Sequence, residues 1–255
     1  MSLIYFIALA LAPGLIWLIF FLGEDRRPEP KKMILKVFLL GMLSTFPIII
    51  LSVGLADLMV LLGLPWSLII SINIVFIAAI TEEIVKYLVV KFSVLKSSEC
   101  DEPIDLMIYA ITAALGFATL ENVLFLFPGL DVLWGGTPFL HFQQLFIGSV
   151  ARFISGTFLH ALASGIMGYF LARSIQSPLK KGKILWTGLG VAILLHSLYN
   201  FSIMMTEHHW LFFGIVPIIL IMLFIALLIC FAKARKMASL CNFNNDKIKK
   251  ENGQS

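Results

Sequence analysis

Apolar stretches long enough to cross a lipid bilayer recur along this chain, at roughly 2–23, 33–54, 67–90, 104–127, 143–173, 184–205 and 210–232. A helix needs about 20 apolar residues to span the hydrocarbon core, and inside it every backbone polar group must be satisfied within the protein. The sequence therefore predicts an all-α fold, a polytopic transmembrane helical bundle of about seven spans. Composition leaves no room for an ordinary soluble domain. Hydrophobic residues make up 60% and charged residues 13%, against about 45–50% and about 25% in soluble proteins.

The connecting segments orient the bundle, because Lys and Arg concentrate on the cytoplasmic side of membrane proteins. Arg26, Arg27, Lys31 and Lys32 follow the first span, and Lys91 and Lys96 the third. Lys180, Lys181 and Lys183 follow the fifth, and Lys233, Arg235 and Lys236 the seventh, while segments 55–66, 128–142 and 206–209 carry neither Lys nor Arg. The expected topology places the amino terminus outside and the carboxyl terminus in the cytoplasm. One transmembrane catalytic bundle over residues 1–232 and a basic cytoplasmic tail over 233–255 follow, in a multi-pass protein of the cell membrane. Ala8-Leu9-Ala10 resembles a signal-peptidase site, but no basic region precedes it and the apolar run continues to Phe21, so an uncleaved first span is expected. The net charge of +4 lies in these connectors and the tail. It implies lipid headgroups as partners and no nucleic acid. Cys100, Cys230 and Cys241 form no disulfide framework and are expected as free thiols.

Two further features bear on shape. Pro47 and Gly63-Leu64-Pro65 predict a second hydrophobic region that kinks and ends irregularly. The segment 128–142, rich in Gly and Pro, is the expected lid or substrate entrance.

Ionisable side chains inside a span cost about 2.5–3.5 kcal/mol each to insert, so each needs a reason. Glu82, Glu83 and Lys86 fall in the third span, Glu121 and Asn122 in the fourth, Arg152 and His160 in the fifth, His196 and Asn200 in the sixth. Lys86 lies four residues from Glu82 and three from Glu83, so it can neutralise either one and leave the other free. A carboxylate kept out of water is the stronger base, suited to taking a proton from water. His196 and Asn200 share a helix face and can donate two hydrogen bonds to a developing oxyanion. Glu121 and Asn122 read equally as groups that orient a histidine or as direct participants. The bland alternative makes both glutamates structural partners of Lys86 and Arg152.

Among intramembrane protease chemistries, the chain lacks a His-Glu-x-x-His helix, paired deep aspartates and a Gly-x-Ser-Gly motif. A glutamate-based site or a glutamate/histidine metal site remains. Here the residues resemble a family. Ala12-Pro13-Gly14, Glu29-Pro30, Glu82-Glu83-x-x-Lys86, Gly116-Phe117-Ala118-Thr119-Leu120-Glu121-Asn122, His160 followed by Gly168, and His196-Ser197-Leu198-Tyr199-Asn200 together resemble the PrsW family. That family is distantly similar to the CAAX prenyl endopeptidases and bacteriocin-processing proteases. The likeness runs from about residue 10 to 205, with Phe125 standing where a tyrosine is expected and with a seventh span and basic tail beyond the minimal core.

The resemblance implies cleavage of a single-pass membrane protein, with the first extracytoplasmic cut of an anti-sigma factor as the archetype. It implies Glu82 as general base, Glu83 held by Lys86, His160 positioning the water, and His196 with Asn200 at the oxyanion. It also admits zinc, with Glu82 or Glu83, Glu121, His160 and His196 as ligands. The sequence favours the metal-free version because no compact metal-binding spacing appears in it. The rival reading from another class is a proton- or cation-coupled transporter using the same groups; a scaffold without catalysis is a third.

Overall fold

The computed structural model of this chain describes residues 3–25, 27–95, 97, 99–126, 150, 151, 153, 155–206 and 209–237. All regular structure among them is helical. Helix α1 covers Leu3–Leu22, α2 Lys31–Leu43, α3 Thr45–Leu61 and α4 Trp66–Ile72. A π-helical turn over Asn73–Ala78 then leads directly into α5, Ala79–Ser93. Helix α6 covers Pro103–Leu126, α7 Gly156–Gln176, α8 Lys181–Met205 and α9 Phe212–Ala234, with a short 3-10 turn at Pro178–Lys180 before α8.

Among the described residues, six runs are long and apolar enough to cross a membrane: Lys31–Leu61, Trp66–Ser93, Pro103–Leu126, Gly156–Gln176, Pro178–Met205 and Phe212–Ala234. Ile7–Leu22 within α1 is a shorter apolar helix. The chain is thus a polytopic helical bundle, as the recurring apolar stretches predict.

The bend expected near Pro47 falls at Ser44, between α2 and α3. Proline cannot donate to the carbonyl four residues back and its ring crowds that carbonyl, which here belongs to Leu43. The Ser44 hydroxyl instead donates to the Gly41 carbonyl at 2.6 Å. Helix α3 runs on through Leu61, into the expected 55–66 loop, because Leu55 to Leu61 is itself apolar apart from the exposed Asp57. Only Leu62 to Pro65 makes the turn, with Gly63 at φ 75°, a conformation that glycine adopts without steric cost. The 128–142 segment, read as a lid, lies outside the described residues, as do Arg152 and Cys241. Cys100 and Cys230 are free thiols.

Helix α6 is the central post, packed against α1, α2, α5, α7 and α9. Its window is 94% buried, against 28% for the Trp66–Ser93 run. In lipid the helices gain little from simple apolarity, so small residues that let backbones approach closely carry the packing. Gly116 on α6 lies against the Phe38 carbonyl and Gly41 on α2 against the Ala113 carbonyl, so a methyl group at either would overlap main-chain atoms. Gly168 brings α7 equally close to Leu106 on α6. These contacts fix how far apart the helices that carry the buried polar residues can stand.

Because backbone cannot swing aside, Gly116→Ala is expected to destabilise the bundle by about 1–3 kcal/mol through overpacking. Gly190→Ala has open space around its new methyl group and is expected to be neutral or slightly stabilising. Thermal unfolding of both variants in detergent checks the contrast.

Candidate active site

Two successive turns of α5 place Glu82, Glu83 and Lys86 toward the bundle interior, at 7%, 1% and 2% exposure. The Lys86 ammonium lies 2.6 Å from Glu83 Oε1 and 3.8 Å from Glu82 Oε2. Lys86 therefore neutralises Glu83, and the choice that sequence spacing left open is resolved by distance. Glu83 Oε1 also accepts from His196 Nδ1 at 2.9 Å, and its Oε2 faces the Ser164 hydroxyl at 3.4 Å. Helices α5, α7 and α8 thus meet on one carboxylate.

The two histidines are held in matching ways. His196 Nδ1, paired with a carboxylate, is the nitrogen that carries the proton, so its Nε2 lone pair faces Glu82 Oε2 at 3.8 Å. His160 Nε2 lies 3.1 Å from Glu121 Oε2 and carries the proton by the same argument. Its Nδ1 accepts from Lys86 Nζ at 3.0 Å and lies 3.8 Å from Glu82 Oε2. The rings stand edge to face, 5.0 Å apart, with Phe117 packed edge-on against His160 and beneath the Lys86 ammonium. One nitrogen of each imidazole is thereby turned toward the same oxygen. Glu82 Oε2 itself is buried with no hydrogen-bond partner.

The sequence-predicted residues divide into two sets. Glu82, Glu83, Lys86, Glu121, His160 and His196 converge. Asn122 is buried but donates to Thr157 Oγ1 at 3.1 Å, tying α6 to α7 away from Glu82. Asn200 shares the α8 face with His196, yet its amide donates to the Ile74 carbonyl at 2.9 Å, within the π turn. His160 sits in the second turn of α7 and reaches Glu121 on α6 at 3.1 Å. The sequence reading assigned Ser164 and Phe117 no role at this site. Their signal was i,i+4 spacing, from His160 and Glu121 respectively.

A helical membrane bundle with carboxylates, imidazoles and one ammonium gathered at its buried centre defines a multi-pass membrane protein built around an ionisable reaction site. Comparison with known proteins makes the class specific. Residues 29–229 match the family described as PrsW family intramembrane metalloprotease. The Protease PrsW of Geobacillus kaustophilus (strain HTA426) is 30% identical over 211 residues, covering 82% of this chain and 84% of its own length. That of Bacillus subtilis (strain 168) is 30% identical over 211 residues, covering 81% and 86%. No solved structure matches the chain. The chain belongs to the PrsW family and is a multi-pass intramembrane protease.

The family description implies a metal, and the residues present fit one. Glu82, His160 and His196, from three different helices, each offer a ligand atom within 4.8 Å of the others. Two imidazoles and one carboxylate are a donor set that zinc accepts. Glu121 and Glu83 each hold the far nitrogen of one histidine, the usual way such ligands are oriented.

Removing one partner of a buried ion pair leaves an uncompensated charge, at about 3–5 kcal/mol. Lys86→Met is therefore expected to destabilise the bundle strongly, whereas Glu82→Gln, which removes an unpaired carboxylate oxygen, is expected to leave stability nearly unchanged. Thermal melts in detergent separate the two; equal losses would mean that Lys86 does not serve Glu83.

Proposed function

We propose that the chain hydrolyses a peptide bond in a single-pass, membrane-anchored protein, with a zinc ion held by Glu82, His160 and His196. The carrying observation is the convergence of both inward imidazole nitrogens on the unpartnered Glu82 Oε2. When bound, such an ion supplies Lewis-acid polarisation of the scissile carbonyl and a water that ionises near neutral pH. The chain's own groups do the positioning. Glu83, neutralised by Lys86, fixes the His196 tautomer, and Glu121 fixes that of His160. Glu121, with its side chain 33% exposed, is the carboxylate placed to pass a proton between the buried centre and water.

A second reading keeps Glu82 as general base without metal. It draws on the Lys86 ammonium, which already occupies the His160 Nδ1 lone pair at 3.0 Å. In that reading His160 positions the water and His196 stabilises the oxyanion. Asn200, bonded to Ile74, serves either version by tying α8 to the π turn.

Within the substrate class, an anti-sigma factor fits the resemblance to the PrsW family. The remaining elements of the proposal are a catalytic bundle over 1–232, a basic cytoplasmic tail over 233–255, surrounding lipid and no nucleic-acid partner. The amino terminus lies outside. Reporter fusions after Pro128 are expected to read exterior and fusions after Arg235 cytoplasm; the reverse pattern would contradict the orientation.

Cleavage of a single-pass substrate by purified enzyme tests the chemistry. A strong chelator should stop turnover and zinc restore it, His160→Ala and His196→Ala should lose bound metal, and Glu82→Gln should cost about 10²-fold or more in rate. Full activity after exhaustive metal removal would select the metal-free reading. Retained cleavage by both Glu82→Gln and Glu83→Gln would defeat both readings.

A further inference from the structure

A second group of buried carboxylates stands at the other end of α6. Asp25 follows α1, Glu29 precedes α2, and Asp105 lies in the first turn of α6. Asp105 is 16 residues from Glu121, about 24 Å along the helix at 1.5 Å per residue, so this group is separate from the Glu82 centre. One carboxylate oxygen from each of the three lies within 4.8 Å of the others. Asp25 and Asp105 are 8% and 1% exposed, and Glu29 is partly buried.

Most of these carboxylates have protein partners, Glu29 and Asp105 also hydrogen-bonding to each other through their side chains. Asp105 Oδ2 accepts from the Asp101 and Glu102 amides at 2.8 and 2.6 Å, and Glu29 Oε2 accepts from the Tyr109 hydroxyl. Asp25 Oδ1 accepts from the Arg27 amide at 2.8 Å. Asp25 Oδ2, by contrast, is fully buried with no hydrogen-bond partner. Among the described residues, the nearby guanidinium groups of Arg27 and Arg235 pair with Glu102 and Glu24, each at 2.7 Å. Among the described residues no Lys or Arg pairs with Asp25, Glu29 or Asp105.

Three buried carboxylates at this spacing repel one another unless a cation stands among them or they share protons. The donors are all oxygen, with no imidazole or thiolate in the triangle, which selects a hard cation over zinc or copper. We propose that Asp25, Glu29 and Asp105 bind one hard divalent cation, Mg²⁺ or Ca²⁺, that pins the α1–α2 connector to the start of α6. The orphan Asp25 oxygen is the ligand that no protein group claims. Because α6 is the central post of the bundle, the ion would lock the end of α1 and the beginning of α2 onto it. This site makes no use of the hydrolytic centre.

Mn²⁺ is the probe, titrated into the full-length protein in detergent and counted by its EPR signal. The wild type is expected to bind one Mn²⁺ more than Asp25→Asn or Glu29→Gln, and excess Mg²⁺ or Ca²⁺ should displace that ion. Counting the difference excludes any Mn²⁺ held at the Glu82 centre. Mg²⁺ or Ca²⁺ should also raise the melting temperature of the wild type by several degrees and that of the variants by none. Should Asp25→Asn fail to fold, the partly exposed Glu29→Gln decides. Equal Mn²⁺ stoichiometry in wild type and variant would overturn the proposal and leave the triangle held by shared protons, as would a wild type that binds no displaceable Mn²⁺.

Discussion

The Glu83 carboxylate is the point on which the centre of this bundle depends. An ion buried among transmembrane helices is stable only if charge and hydrogen bonds are both supplied on the spot. Lys86 supplies the charge from one turn along the same helix, and His196 and Ser164 supply hydrogen bonds from α8 and α7. The same contacts that make Glu83 tolerable fix the ring of His196 and draw three helices together. Glu82, its neighbour in sequence, has Lys86 and His196 no nearer than 3.8 Å and keeps an oxygen without a hydrogen-bond partner. Two adjacent glutamates therefore acquire different surroundings, one fully hydrogen-bonded and one with an oxygen that no hydrogen bond reaches, from a difference of about one ångström in where a lysine reaches.

That division explains how the histidines become useful. A neutral imidazole offers one donor and one lone pair, and its environment decides which nitrogen has which. Here Glu83 and Glu121 each take the donor side, so both lone pairs face inward. The close backbone approaches at Gly41, Gly116 and Gly168 set the distance between α2, α6 and α7. The π turn ahead of Glu82, tied to α8 through Asn200 and to α3 through Asn73, sets the phase of α5. Such turns recur near functional sites. Packing and chemistry are in this way the same problem for this fold.

Much of this was legible in the sequence, for physical reasons that differ by residue. The spans could be read because hydrocarbon tolerates only long apolar helices, and Glu82, Glu83, His160 and His196 stood out because a bilayer makes such groups costly. The extent of α3 could not be read, since apolar composition does not mark where a helix stops within an apolar run. Asn200 shows the limit of spacing arguments: four residues from His196 puts it on the right face, but the π turn offered its amide a nearer carbonyl. Nor could spacing along the chain reveal the metal-compatible triangle, whose three donors come from α5, α7 and α8. The carboxylates at Asp25, Glu29 and Asp105 were invisible for the same reason.

The central proposal is that Glu82, His160 and His196 together hold a zinc ion. X-ray absorption at the zinc edge of the active, purified protein examines it directly, since oxygen, imidazole and sulfur ligands scatter differently. The account predicts a first shell of nitrogen and oxygen only, at about 2.0–2.2 Å, with the outer-shell scattering of two imidazoles. A shell containing sulfur at about 2.3 Å, or one without imidazole, would place the metal elsewhere and contradict it.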